Sequence, residues 1–289
     1  MIAVLMDRLG LYARLVRLDK PIGTLLLLWP TLWALWAAGK GSPPMPVLLI
    51  FVAGTFLMRA AGCAINDYFD RDFDRHVKRT EARVLTTGQI KPKEALLVAA
   101  LLALLAFALV LLLNALTIAL SFVALALAAT YPLMKRMFGV PQAYLGIAFG
   151  FGIPMAFAAI TNSVPTVAWV FLLANICWTV AYDTEYAMVD RDDDIKLGLK
   201  TAAITFGRFD VAAIGACYAV ALVLLTYAGL LMAWGAAYYG GLVVAASIAM
   251  THVSWIRRRD PVACFRAFRH NNWFGAAVFA GIVMQYLLA

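Results

Sequence analysis

Asn66-Asp67-Tyr68-Phe69-Asp70-Arg71-Asp72-Phe73-Asp74 sets four carboxylates in nine residues, directly after an apolar run long enough to cross a bilayer. A second stretch, residues 183–194, repeats the situation with Asp183, Glu185, Asp190, Asp192, Asp193 and Asp194. The chain has 16 acidic residues, and ten of them lie in these two places. Asp67, Asp70 and Asp74 are spaced i, i+3, i+7, and Asn66, Asp70 and Asp74 i, i+4, i+8. A span that continues as a helix therefore presents them on one face. Asp190 and Asp194 are i, i+4, and Asp183 lies seven residues before Asp190, again in phase. Arg59, seven before Asn66, points the same way.

Working outward, the composition sets the solvent. The chain is 64% hydrophobic and 14% charged, with a mean hydropathy of +0.84. A soluble domain is about half apolar and about a quarter charged, so this is an all-α integral membrane protein of many spans. The net charge of +8 marks loops rather than a nucleic-acid partner, because no recognition module is visible. Cys63, Cys177, Cys217 and Cys264 show no close pairing and read as small buried hydrophobes. Residues 1–20, with Arg8, Arg14 and Arg17 among leucines, read as an interfacial helix. Asp19 and Pro21 look like a helix start, Asp19 as the cap.

Nine spans are expected, near residues 22–38, 47–65, 94–113, 115–133, 140–160, 166–182, 209–231, 234–255 and 271–288, in one domain covering residues 1–289. Residues 66–93 and 183–208 are the long polar segments, expected as loops 2–3 and 6–7 that cap a central cavity. With nine spans, 22 of the 24 basic residues and all 16 acids fall on one side. By the positive-inside rule that side is cytoplasmic, which places the N-terminus inside. The exceptions are Lys40 and Arg59, and Arg59 is the one cation set within a span. Spans 2 and 6 run in the same direction, each into an acidic stretch.

Like charges at i, i+4 destabilise a helix, and such a concentration at a membrane surface calls for a counterion. Hard oxygen ligands suit Mg²⁺, which takes one or two carboxylates and completes its shell with water or phosphate oxygens. Nearby Lys78, Arg79, Arg83, Lys135 and Lys200 can meet the remaining charge of a phosphate. A solvated acidic loop explains one such cluster; it explains two in phase on one side poorly. His76, His252 and His270 lack metal-ligand spacing.

Asn66-Asp67-x-x-Asp70-x-x-x-Asp74 and Asp190-x-x-x-Asp194 resemble the paired aspartate motifs of the UbiA superfamily of intramembrane prenyltransferases. Leu18-Asp19-Lys20-Pro21-Ile22-Gly23, Gly62-Cys63, His76-Val77-Lys78-Arg79-Thr80, Tyr131-Pro132-x-Met134-Lys135-Arg136 and Tyr182-Asp183-Thr184 onward extend the resemblance over nearly the whole chain. It is strongest to the branch that prenylates 4-hydroxybenzoate. Val84 and Glu185 depart from the usual pattern, Val84 loosening the loop and Glu185 adding a charge beside the site.

The resemblance implies nine helices around a cavity open sideways to lipid. It also implies Mg²⁺-dependent transfer of a polyprenyl group from polyprenyl diphosphate to 4-hydroxybenzoate, an early step of ubiquinone biosynthesis, in a bacterial inner membrane. It assigns Asn66, Asp70, Asp74, Asp190 and Asp194 to metal and diphosphate. Asp67 and Asp183 ligate metal or orient ligands, and Lys78, Arg79, Tyr131 and Lys135 reach the diphosphate. Arg59, with Arg136 as the second choice, takes the carboxylate of the acceptor. Trp29, Trp33, Trp36, Phe149 and Phe151 are candidates for the prenyl tunnel. Rival readings are a relative using dihydroxynaphthoate, homogentisate or haem, a non-catalytic prenyl-lipid binder, or a cation transporter. A transporter predicts acids on both sides of the bilayer or at its middle, and the acids here fall on one side.

Overall fold

The computed structural model of the chain describes residues 2–77 and 79–288, without the side chains of residues 2–6, 135 and 136. The helices are α1 (Ile2–Leu15), α2 (Ile22–Ala38), α3 (Met45–Asp74), α4 (Pro92–Val110), α5 (Ala115–Met137) and α6 (Pro141–Gly150). They continue with α7 (Gly152–Thr161), α8 (Thr166–Lys196), α9 (Ala202–Phe206), α10 (Asp210–Leu231), α11 (Ala236–Ile256) and α12 (Pro261–Leu288). No strand occurs among the described residues. Among the described residues, seven stretches are long and apolar enough to cross a membrane: α3, α4, α5, α6 with α7, α8, α9 with α10, and α11. α2 is a shorter apolar helix of 17 residues, and α12 runs for 28 residues.

Local chemistry sets the boundaries. Asn114 caps α5, its side chain accepting from Thr117 N at 2.9 Å. Asp260 accepts from Ala263 N at 2.8 Å, and Pro261 opens α12 ten residues before the expected span. Asp19 does not cap α2 as expected. Pro21 holds the N-cap position at φ −67° with no side-chain cap, and the preceding turn, closed by Lys20 N to Arg17 O, carries Asp19 away from the helix start. Pro154 lacks the amide that would continue α6, so span 5 breaks at Phe151 into α6 and α7.

The two polar segments start as helix rather than as loop. α3 runs on to Asp74 and α8 to Lys196. Bonds along the helix face offset like-charge repulsion there: Asn66 Nδ2 donates to Asp70 Oδ2 at 3.0 Å, and Arg71 Nη1 to Tyr68 O at 2.9 Å.

α8 is the centre of the bundle. Of its apolar window 67% is buried, against 17% for α4 and 11% for α5, which face outward. Around it Trp33, Trp178, Tyr182, Tyr238 and Phe274 are fully buried. Small residues let helices close in: a Cβ on Gly146 would lie 2.7 Å from Ile176 Cα on α8. A second, smaller core joins Leu15, Val84, Leu85, Ile90 and Ala95. Val84 therefore packs the segment after α3 down against α1 and α4; it does not loosen it.

Candidate active site

The far ends of α3 and α8 meet through arginines. Arg79 Nε donates to both Asp190 oxygens at 3.0 Å, and its guanidinium lies 4.5 Å from the Tyr186 ring centroid. This contact joins the two acidic motifs across 111 residues of chain. Arg83 Nη1 bridges Asp67 Oδ1 at 3.0 Å and Asp74 Oδ2 at 2.6 Å. Arg17 adds a second cation to Asp67. Arg17 sits at φ 58°, a left-handed conformation that costs a non-glycine residue about 1–2 kcal/mol and turns the chain after α1. Burial opposes the charge of Arg79, yet its hydrogen bonds to Asp190 and the carboxylate charges of Asp190 and Asp74 hold its proton affinity above the ordinary arginine value.

Next to these pairs lies a cavity of about 780 Å³. Its polar end is lined by Arg59, Asn66, Arg79, Arg83, Tyr131 and Asp183. Its apolar walls include Met58, Phe107, Phe149, Phe151 and Met155. Phe122 and Leu125 also line it while being 58% and 47% exposed, so the cavity opens sideways between helices to the outer face of the bundle. Phe149 and Phe151 thus occupy tunnel positions. Trp33 is instead fully buried in the core, Trp29 donates to Asn272 Oδ1 at 2.8 Å, and Trp36 packs on Phe279.

Asp70, Asp74, Asp190 and Asp194 do not line the cavity. Arg79 and Arg83, which do, stand on Asp190 and on Asp74. The three α3 carboxylates are near neighbours, Asp74 feeling the charge of Asp70 and Asp67. Asp183 lies within electrostatic reach of Arg79, Asp190 and Arg59, with Gln142 beside it. Asp72 is exposed with Arg71 at 3.7 Å, and Asp193 pairs with Lys196 at 3.3 Å, so both belong to the solvated side. Lys78 and the side chains of Lys135 and Arg136 lie outside the described residues.

The described residues contain no cluster of three or more His, Cys, Asp or Glu side chains already gathered as metal ligands. The donor set nevertheless fits Mg²⁺, which needs only one or two carboxylates and leaves the rest of its shell to water and phosphate. Asp70 and Asp74, with the Asn66 amide on the same face of α3, and Asp190 across from them, supply hard oxygens of that kind.

Two parts of the arrangement escape sequence reasoning. Arg17 reaches Asp67 from the turn after α1, fifty residues away in the chain, with no spacing to announce it. Glu185 does not add charge beside the cavity. It is fully buried on the opposite face of α8, where Tyr218 and Asn271 hydrogen-bond it at 3.0 and 2.8 Å. His252 joins the same buried group and is linked at 3.0 Å to the half-buried His270.

A helical membrane bundle whose two acidic helix ends meet beside a laterally open apolar cavity is the architecture of an intramembrane prenyltransferase. The sequence pattern of the UbiA prenyltransferase family matches residues 27–275, and the chain belongs to that family. Proteins of Cupriavidus pinatubonensis and Cupriavidus necator, both named 4-hydroxybenzoate octaprenyltransferase, are 65% and 66% identical to it. Each match covers 98% of this chain and 99% or 100% of the relative. Among solved structures, the apo UbiA homolog from Aeropyrum pernix K1 superposes with a TM-score of 0.79 at 26% identity, covering 90% of this chain and 97% of that one. A UbiA homolog from Archaeoglobus fulgidus bound to GPP and Mg²⁺ has the same fold, with a TM-score of 0.70 at 20% identity over 94% of this chain and 99% of that one.

Proposed function

We propose that the chain transfers a polyprenyl group from polyprenyl diphosphate to the ring carbon ortho to the hydroxyl of 4-hydroxybenzoate, with Mg²⁺, in ubiquinone biosynthesis. The observation that carries this reading is end-to-end identity of 65–66% to relatives named for octaprenyl transfer to that acceptor. The cavity supports it, since one end is charged and the other apolar and open to lipid. Such a space suits a substrate with a diphosphate head and a hydrocarbon tail.

Asn66, Asp70, Asp74, Asp190 and Asp194, with Asp67, would hold Mg²⁺. When bound, the ion supplies positive charge that stabilises diphosphate as a leaving group. Arg79 and Tyr131, with Lys78 and Lys135, bind the diphosphate oxygens, and Arg79 turns from Asp190 to do so. The bond from C1 of the prenyl chain to the diphosphate oxygen breaks, and its electron pair leaves with the diphosphate. The ring carbon forms a bond to C1, and the ring then loses its proton. Phe149, Phe151 and Met155 keep water from the cation-like centre. Arg59 orients the acceptor by its carboxylate, as a cation set in the middle of α3, with Arg136 as the alternative and Asp183 steadying the site.

The same reading places the chain in a bacterial inner membrane with nine spans, the N-terminus cytoplasmic, and the segments after α3 and α8 as a cap. The test is an assay of membranes carrying the protein, with Mg²⁺, a prenyl diphosphate and a panel of acceptors. Prenylated 4-hydroxybenzoate is the expected product. Turnover of dihydroxynaphthoate, homogentisate or haem in its place would refute the acceptor assignment.

A further inference from the structure

α3 forms one wall of the cavity. Every fourth residue from its middle to the acidic motif lines that space: Ile50, Gly54, Met58, Gly62 and Asn66. At about 1.5 Å per residue this wall rises roughly 24 Å from Ile50 to Asn66. Two of its residues are glycines inside a helix, where glycine is the least favourable residue after proline. Elsewhere in the bundle helical glycines answer to packing: a Cβ on Gly146 or on Gly241 would lie 2.7 Å from the backbone of a neighbouring helix. Gly54 and Gly62 are different. A Cβ on either would meet no atom of the described residues within 4 Å. Helix packing therefore gives no reason for glycine at these two positions, and the open space beside them belongs to the cavity. A longer side chain at position 54 would lean toward the preceding turn. Ile50 and Phe51 of that turn also line the cavity, so the added atoms would stay inside it.

We propose that Gly54 is a specificity-determining residue for the donor: its missing side chain leaves the path along α3 open to long prenyl chains. This rests on the reading that the cavity holds a prenyl diphosphate with its head at the Asn66 end. Position 54 lies roughly 18 Å along the helix from Asn66, and the diphosphate takes up the first part of that distance. An extended isoprene unit spans four carbon–carbon bonds, about 5 Å, so the chain reaches position 54 at about its third unit. A two-unit chain stops short of Gly54, and a longer one runs across it. Gly62, one turn from Asn66, stands beside the head of every donor and does not tell them apart. A larger residue at position 54 therefore closes the path to long chains and spares short ones. It does so in a helix that gains from losing a glycine, so the wild-type residue gives up helix stability for room.

The experiment compares wild type, Gly54→Leu and Gly54→Met in steady-state prenyl transfer to 4-hydroxybenzoate. The donors are geranyl diphosphate, with two isoprene units, and octaprenyl diphosphate, with eight. Over-filling an apolar space weakens binding enough that kcat/KM for octaprenyl diphosphate should fall roughly 10- to 100-fold in both variants. The kcat/KM for geranyl diphosphate and the KM for 4-hydroxybenzoate should stay close to wild type. The melting temperature should hold or rise, because leucine and methionine are better helix formers than glycine. Unchanged kinetics with octaprenyl diphosphate would mean that the chain leaves the cavity before position 54, and would overturn the inference while the prenyl-transfer reading stands. Equal losses on both donors, or a lower melting temperature in both variants, would show a packing role for Gly54 and also overturn it. A wild-type protein that transfers neither prenyl group overturns the prenyl-transfer reading and the inference with it.

Discussion

Tyr218→Phe isolates the worth of the buried group that seats α8. The Tyr218 hydroxyl meets Asn271 Oδ1 at 2.8 Å, Glu185 Oε1 at 3.0 Å and His252 Nδ1 at 3.0 Å, and all four side chains are buried. Losing the hydroxyl leaves the ring in place on Phe274, so the cavity term is small. The cost lies in buried polar groups left short of a partner, about 1–3 kcal/mol for each such group. Each neighbour keeps one other bond, however. Asn271 Oδ1 still accepts from Trp178 Nε1 at 2.8 Å, Glu185 Oε2 from Asn271 Nδ2 at 2.8 Å, and His252 keeps His270 at 3.0 Å. The three losses are therefore partial, and the expected destabilisation is about 2–3 kcal/mol rather than the full sum. At about 2–4 °C per kcal/mol for a chain of this size, thermal unfolding of the detergent-solubilised protein should fall by roughly 4–12 °C. Glu185→Gln is the control. Its amide can donate to the Tyr218 oxygen and its carbonyl can accept from Asn271, so the loss should stay under about 1 kcal/mol. A Tyr218→Phe protein melting within a degree of wild type, or a Glu185→Gln protein falling as far as Tyr218→Phe, would refute the reasoning.

Other outcomes follow from the site and the packing. Asp70→Ala and Asp190→Ala should each abolish Mg²⁺-dependent turnover while the protein stays folded by thermal shift; near-normal rates in both would sink the metal assignment. Gly241→Val should destabilise by about 1–3 kcal/mol or more, read as a lower melting temperature. A Cβ there would lie 2.7 Å from Gly281 Cα and 2.8 Å from Ala277 O, which forces α11 and α12 apart. A single cysteine at exposed position 82, placed in a background without the four native cysteines, should react with an impermeant reagent only from the cytoplasmic face. Labelling from outside would overturn the orientation.

The helical phase of the acids was legible because it is local. Asn66, Asp70 and Asp74 share a face by spacing alone, and α3 does continue through them. The family was legible for the same reason, since long contiguous motifs are local facts. What escaped depends on chain segments far apart. No period in residues 1–20 says that Arg17 will stand on Asp67. Nor does any pattern show that Glu185, two residues after cavity-lining Asp183, faces away from the cavity. At 100° per residue the two differ by about 200°, so the angle was available, but which face of α8 meets the cavity is decided by packing. Span ends differ from the hydropathy pattern where cap chemistry overrides it, as at Asp260-Pro261, and polar composition reads as loop where arginines neutralise a helical acid stripe.

Those arginines also account for how a membrane protein gathers ten acids into two stretches and still folds. A stripe of carboxylates at a membrane surface repels itself whether or not substrate is bound, so its stability depends on cations built into the chain. Arg17, Arg79 and Arg83 supply them from the turn after α1 and from the segment after α3. Arginine suits this position better than lysine. It stays charged when buried, and its planar fork fits carboxylate and phosphate equally well. In the proposed reaction the same side chains therefore serve two states: they hold the acidic helix ends together in the free protein, and they turn to the diphosphate when that headgroup arrives with its own metal charge for the carboxylates. Of these contacts only Arg79 to Asp190 joins the two motifs directly, and its donor lines the cavity, so in the proposed reaction it is the contact that an entering diphosphate would displace. The site thus exchanges one set of neutralised charges for another without exposing a bare carboxylate cluster to lipid at any stage.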